Sequence, residues 1–114
     1  MEGITRIPRT PDMPAEADFA VTLREENTVP VIAIGETVFV SRTGTLADGD
    51  VGIFQYRDKM LCRQVCQDSF GTVYLFALNP ACAEEDLILP AHKQDGLLCW
   101  GKVLLSHPPA LPNR

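Results

Sequence analysis

The most reactive side chains in this sequence are four cysteines, Cys62, Cys66, Cys82 and Cys99. Cys62 and Cys66 are four apart, so on a strand both project to one face. That spacing is neither the C-x-x-C of a zinc knuckle nor that of a redox dithiol, and Cys82, Cys99, His92 and His107 do not complete a ligand set. An even count could close disulfides in a secreted protein, but the N-terminus carries Glu2, Arg6, Pro8 and Pro11 in place of an apolar export core. Reduced thiols filling small core gaps are therefore expected, with no metal and no cofactor. Among the hydroxyls, Ser41, Ser69 and Ser106 fall where strands end or the chain turns.

A more informative signal is a basic residue set among apolar ones. Met60-Leu61-Cys62-Arg63-Gln64-Val65 reads as a strand in which Leu61, Arg63 and Val65 share one face. Upstream, Glu25-Glu26-Asn27-Thr28 forms a polar loop that ends at Pro30. Trp100, between Cys99 and Gly101, packs in a core or anchors a dimer contact. The Glu84-Glu85-Asp86 run is read as a solvated turn.

These residues must be positioned by strands. Phe19 to Leu23 and Thr37 to Ser41 are rich in residues that suit a pleated, half-buried surface, with a tight turn at Gly35 between them. Ala47-Asp48-Gly49-Asp50 signals a turn before Val51 to Tyr56. The Arg57-Asp58-Lys59 corner leads to Met60 through Cys66, and Gln67 to Gly71 turns into Thr72 through Leu78, giving consecutive hairpins. Both alternating sets of Thr72 to Leu78 are apolar, which predicts a central strand covered on both faces. Asn79-Pro80 forces a turn, Ala83 to Asp86 makes a short helical turn and Leu87 to Leu89 a brief strand. Leu97 to Leu105 closes the domain, with Gly101 as a bulge or close-approach point.

The fold class is mostly β, in a single small domain over residues 17–105. Residues 1–16, with three prolines and almost nothing apolar to anchor them, read as an extended arm or linker. Residues 106–114 read as a Pro-rich tail that cannot continue a ladder. The 114 residues carry a net charge of −5 and a pI near 4.8, so the basic stripe of a direct nucleic-acid binder is missing. No apolar run reaches the roughly 18 residues that span a bilayer, so no membrane association and a cytoplasmic location are expected.

Laid without a gap on the motif A-D-F-A-x-x-V-x-G-D-S-M-x-P-x-I-x-x-G-D-x-V-F-V, the stretch from Ala17 to Val40 matches at Ala17, Asp18, Phe19, Ala20, Pro30, Ile32, Gly35, Val38, Phe39 and Val40. The second half continues the pattern: Asp-Gly-Asp and an apolar run at Asp48 to Phe54, a strand bearing a basic residue at Met60 to Val65, L-x-x-x-N-P at Leu75 to Pro80, and G-K-V at Gly101 to Val103. The chain resembles the peptidase domain of LexA and phage CI-type self-cleaving repressors. That resemblance implies the twisted β-sheet fold of LexA and signal peptidases, a complex β-ribbon that is barrel-like in outline.

The same resemblance places Asn27 at the position of the family's nucleophilic serine and Arg63 at that of its lysine base. A carboxamide offers no ionisable hydroxyl, and a guanidinium does not give up its proton, so no catalytic residue is expected. Glu25, Glu26, Thr28, Pro30, Leu61 and Val65 are expected to line the former groove, closed by an ion pair from Arg63 to Glu25 or Glu26. The implied role is the dimerising, regulatory C-terminal domain of a transcriptional regulator, a homodimer that reaches DNA only through an N-terminal helix-turn-helix domain absent from this sequence. Two alternatives stand beside it: an active Ser-Lys peptidase whose dyad lies elsewhere, with Thr28 reached by a one-residue slip as one version, and a module that binds a peptide in the groove without cutting it.

Overall fold

The computed structural model describes residues 3–114. Eight strands form one antiparallel sheet: β1 (Ile4–Pro8), β2 (Phe19–Leu23), β3 (Glu36–Ser41), β4 (Val51–Tyr56), β5 (Lys59–Gln67), β6 (Val73–Phe76), β7 (Leu87–Leu89) and β8 (Leu98–Val103). Their spatial order is β1-β2-β3-β8-β4-β5-β6-β7, so the last strand threads between the third and fourth. Short 3-10 turns, η1 (Glu26–Thr28), η2 (Pro80–Glu85) and η3 (Ala91–Lys93), fill the longer connections. The mostly β expectation holds, and no described helix is long and apolar enough to cross a membrane.

Strand alternation builds two apolar clusters. Phe19, Val21 and Leu23 of β2 join Ile4, Val40, Val51, Ile53, Cys62 and Val103 in the larger one. Phe54, Tyr56, Leu75 and Leu89 form the smaller, with Leu61 and Val65 packed against it. Every residue of β2 is buried, because strands flank it on both edges and packing covers both faces. Thr22 tolerates this by sharing a 2.7 Å hydroxyl–hydroxyl hydrogen bond with Thr37 on β3.

Two expectations need correction. Residues 4–8 are not an unanchored arm: they pair with β2 in register from Ile4↔Leu23 to Pro8↔Phe19, and Ile4 enters the main core. The buried Ile4, the free sheet edge and the Arg6 guanidinium stacked on the Phe19 and Trp100 rings dock the segment, and Pro8 sits at the end of an edge strand where a missing donor does little harm. The strand within Thr72 to Leu78 is second from the sheet edge instead of central, and only Val73–Phe76 is in the ladder. Its outer face is apolar because the C-terminal tail, not another strand, covers it: the Arg114 guanidinium lies over the Phe76 ring.

At Gly101 the expected bulge is present. The register shifts between Ile53↔Gly101 and Phe54↔Cys99, leaving Trp100 as the extra residue. A Cβ at position 101 would collide with the Ser41 carbonyl oxygen and touch Val40, so the crossing of β3 and β8 requires glycine there. Trp100 is half-buried against the main core, donates to Gln55 Oε1 at 3.1 Å and carries the Arg6 guanidinium on its ring.

Candidate functional site

Where β2 ends, the chain makes the η1 turn, and this turn is fixed from within. Thr28 is completely buried, and its hydroxyl lies 3.1 Å from both the Glu25 and the Ile32 carbonyl oxygens. Asn79 then clamps η1 to η2. Its Nδ2 donates to the Glu26 carbonyl at 3.0 Å, its backbone N–H donates to the Asn27 carbonyl at 2.9 Å, and its Oδ1 caps η2 by accepting from Ala81 N. The L-x-x-x-N-P turn is thus the joint that holds two distant segments together.

The joint brings three side chains to one point. Asn27 Nδ2 donates to Glu85 Oε1 at 2.9 Å, and Arg63 Nη2 lies 3.9 Å from the same oxygen. Arg63 is only 3% exposed and donates from Nη1 to the Cys62 carbonyl at 3.0 Å. Among the described residues its Nε has no partner, nor do Glu25 Oε1 and Asn27 Oδ1 beside it. A buried donor and two buried acceptors left open in one place mark a poorly compensated polar centre. Glu85 itself is half open to water, with its side chain 44% exposed.

These residues line a groove of about 410 Å³, bounded also by Gly3, Ile4, Lys59 and Leu61. Of the expected lining residues, Glu25 and Leu61 are present. Thr28, Pro30 and Val65 are not: Thr28 is turned into the fold, Pro30 is exposed beyond it, and Val65 packs on the smaller core cluster. Glu26 is exposed and faces a neighbouring recess that also holds Cys82 and Glu84. Among the described residues the carboxylate nearest Arg63 is therefore that of Glu85, not of Glu25 or Glu26. The sequence points to a solvated Glu85 because no local pattern ties it to a residue 58 positions away. Asp86 likewise departs from the solvated turn expected of it: it accepts from Ala77 N at 2.7 Å and pairs with Arg114.

Electrostatics follow from burial. Desolvation pushes the Glu25 carboxyl up, against the lesser pull of Arg63, and Glu85 adds to the rise. Cys62, behind Arg63, is wholly buried and its thiol is pushed up to about 12, chiefly by desolvation. It is no thiolate at neutral pH. The other three cysteines are half-buried, and all four are free. Burial and the neighbouring Glu85, Glu84 and Glu26 also raise the Cys82 thiol. Donor atoms of Cys82, Glu84 and Glu85 lie within 4.8 Å of one another on the outer surface of η2, a grouping that the spacing of the cysteines and histidines did not suggest.

Residues 2–104 match the Peptidase S24-like family, from just before β1 to just after β8. The chain belongs to the Peptidase S24-like family. No curated protein matches it. The family expected from Ala17 to Val40 and from the second-half motifs is the one found, and the match also takes in β1, within the segment that its prolines suggest is an arm.

In this S24-like domain Glu25 gives a sign-defined pH effect. Its folded pKa is raised, so its contribution to stability is full below the ordinary carboxylate value and is lost as pH rises through the folded value. Glu25→Gln is expected to raise the thermal midpoint at neutral pH, with the gain vanishing below about pH 4. Thermal unfolding of both proteins across pH measures this, and a gain that grows towards acid pH would reverse the assignment.

Proposed function

We propose that this S24-like chain is the dimerisation and regulatory domain of a LexA-like transcriptional regulator, and that its groove no longer cleaves peptide bonds. The observation that carries the reading is the convergence of Asn27 and Arg63 on one oxygen of Glu85. Peptide hydrolysis by this family's chemistry needs a hydroxyl and a neutral amine in a dry cleft. At the two positions that the family resemblance assigns to them stand a carboxamide and a guanidinium, tied to a carboxylate. Among the described residues no serine, threonine or cysteine side chain hydrogen-bonds to a lysine, which speaks against a dyad placed elsewhere. Thr28, the nearest substitute nucleophile, is engaged with backbone carbonyls inside the fold.

The acidic net charge of −5 supports a partner-binding role over direct DNA contact, with DNA reached through a separate helix-turn-helix domain. A second reading, a groove that holds an uncut peptide, draws on the open polar atoms Arg63 Nε, Asn27 Oδ1 and Glu25 Oε1, which complement the donors and acceptors of an extended backbone. Sedimentation velocity over a concentration series tests the leading one. A reversible monomer–dimer equilibrium is expected, and a monomer up to the solubility limit would remove dimerisation from the proposal.

A further inference from the structure

Arg114 is held by contacts that the groove chemistry does not use. Its Nε donates to Asp86 Oδ2 at 2.7 Å, and its Nη2 donates both to Asp86 Oδ1 and to the Ala77 carbonyl, each at 3.0 Å. The guanidinium stacks over the Phe76 ring, 5.5 Å from its centroid. A paired fork on one carboxylate, a third bond to a carbonyl and an aromatic face together form a receptor for a planar cation, and an ammonium could not satisfy it. The tail leading there is pinned once more, where Gln64 Nε2, from a side chain on β5 that is nearly inaccessible to water, donates to the Pro109 carbonyl at 2.7 Å. The segment crosses the sheet as a strap with two fixed points.

The strap ends on the residue next to the groove carboxylate. Asp86 is the C-cap of η2, and Glu85 is the last residue of that turn. Consecutive residues are therefore gripped from opposite sides, Glu85 by Asn27 and Arg63, Asp86 by Arg114. The turn has little else to hold it: none of its residues is buried, and Cys82 interrupts it with non-helical backbone angles. Asn79 secures its first residues, and Asp86 its last.

We propose that Asp86, the Ala77 carbonyl and the Phe76 ring form a guanidinium-binding site, filled in cis by Arg114, and that its occupancy holds η2 so that Glu85 stays across the groove. The tail is then a latch on the groove, a role that stands whether or not the groove cleaves. Loss of the guanidinium loosens the C-terminal end of η2, where the Asp86 carboxylate keeps its bond from Ala77 N, while Asn79 still tethers the other end. Glu85 then leaves Asn27, and Cys82 becomes more accessible.

Cys82 is the reporter, because it lies within η2 while Cys62 is sealed in the core and Cys99 sits on β8. Modification of each cysteine by a small aromatic disulfide is followed by peptide mass spectrometry. Arg114→Ala is expected to speed Cys82 modification roughly three- to tenfold, the range that loss of a partly exposed charge-assisted pair allows, with Cys62 and Cys99 unchanged. Arg114→Lys should keep most of that increase. Methylguanidinium, at concentrations far below those that unfold proteins, should slow Cys82 again in Arg114→Ala but not in the Arg114→Ala/Asp86→Asn double variant. The side-chain amide resonance of Asn27 should move in Arg114→Ala towards its position in Glu85→Ala. A wild-type Cys82 rate in Arg114→Ala, an acceleration shared by Cys99, a full rescue by lysine, or an unmoved Asn27 amide would each overturn the latch.

Discussion

Replacing Asn27 by serine and Arg63 by lysine together is expected to leave the domain almost unreactive towards a fluorophosphonate, whereas removing Glu85 in the same chain should raise the labelling rate about tenfold. The reason lies in the carboxylate 3.9 Å from Arg63 Nη2. A lysine base works only as the neutral amine, and a free lysine has a pKa of about 10.4, so burial must lower it by several powers of ten in proton affinity. A carboxylate at this range acts in the opposite sense. Two unit charges about 4 Å apart attract by roughly 1 kcal/mol in water and about 4 kcal/mol in a partly shielded site. Because the Glu85 side chain is 44% exposed, the attraction lies nearer the lower of these values, at about 1.4 kcal/mol, which is a factor of ten in the neutral fraction. A serine hydroxyl placed beside Glu85 would also tend to donate to it, as the Asn27 amide does now, and so point away from the base. On the proposed reading the groove thus carries three obstacles to hydrolysis, of which only two occupy positions that the family resemblance names. Labelling of Asn27→Ser/Arg63→Lys at the same rate as the Glu85→Ala triple variant would show that Glu85 is no obstacle.

Arg63→Met is expected to stabilise the fold, by about 1 to 3 kcal/mol in urea unfolding at neutral pH. The guanidinium is 3% exposed, and among the described residues its Nε has no partner, its one close bond is to the carbonyl of the preceding residue, and its carboxylate stands 3.9 Å away. Desolvation of a charge costs several kcal/mol, and this geometry returns little of it. A methionine stem of similar length would lie along Leu61 without an orphaned donor, and Glu85 is exposed enough to return to water. One effect opposes the gain: Glu25 loses the cation that partly offsets its burial. The increase should therefore be larger in Arg63→Met/Glu25→Gln than in Arg63→Met alone. A loss of stability in both variants would mean that the guanidinium is well compensated, and that the polar centre belongs to the fold instead of burdening it.

How far the sequence disclosed this arrangement depends on the range over which each feature is determined. The strands at Phe19–Leu23, Val51–Tyr56 and Leu87–Leu89 were legible because alternation is a property of neighbours, and Gly35 and Gly101 because turn and bulge chemistry is local. β1 is hidden in the sequence because Pro8, Pro11 and Pro14 outweigh Ile4 and Ile7 in composition, while its anchors, the free edge of β2 and the Phe19 and Trp100 rings under Arg6, lie far along the chain. The strand order was out of reach: nothing between Leu98 and Val103 states that the segment lies between β3 and β4. At the groove, the burial of Arg63 could be read from its apolar strand face. Its partner could not, since Glu85 approaches through a turn fixed by Asn79 and Asp86, and those contacts join segments more than fifty positions apart or cross to the tail. The run Glu84-Glu85-Asp86 looks uniform in sequence, yet its three carboxylates face solvent, the groove and Arg114 respectively.

Incubation of the unaltered protein with a fluorophosphonate, from neutral to mildly alkaline pH, followed by intact-mass measurement, tests the proposed loss of chemistry most directly. The account predicts a single unmodified species of 12.5 kDa throughout. A phosphonylated hydroxyl, or a pair of fragments that sum to the starting mass, would contradict it.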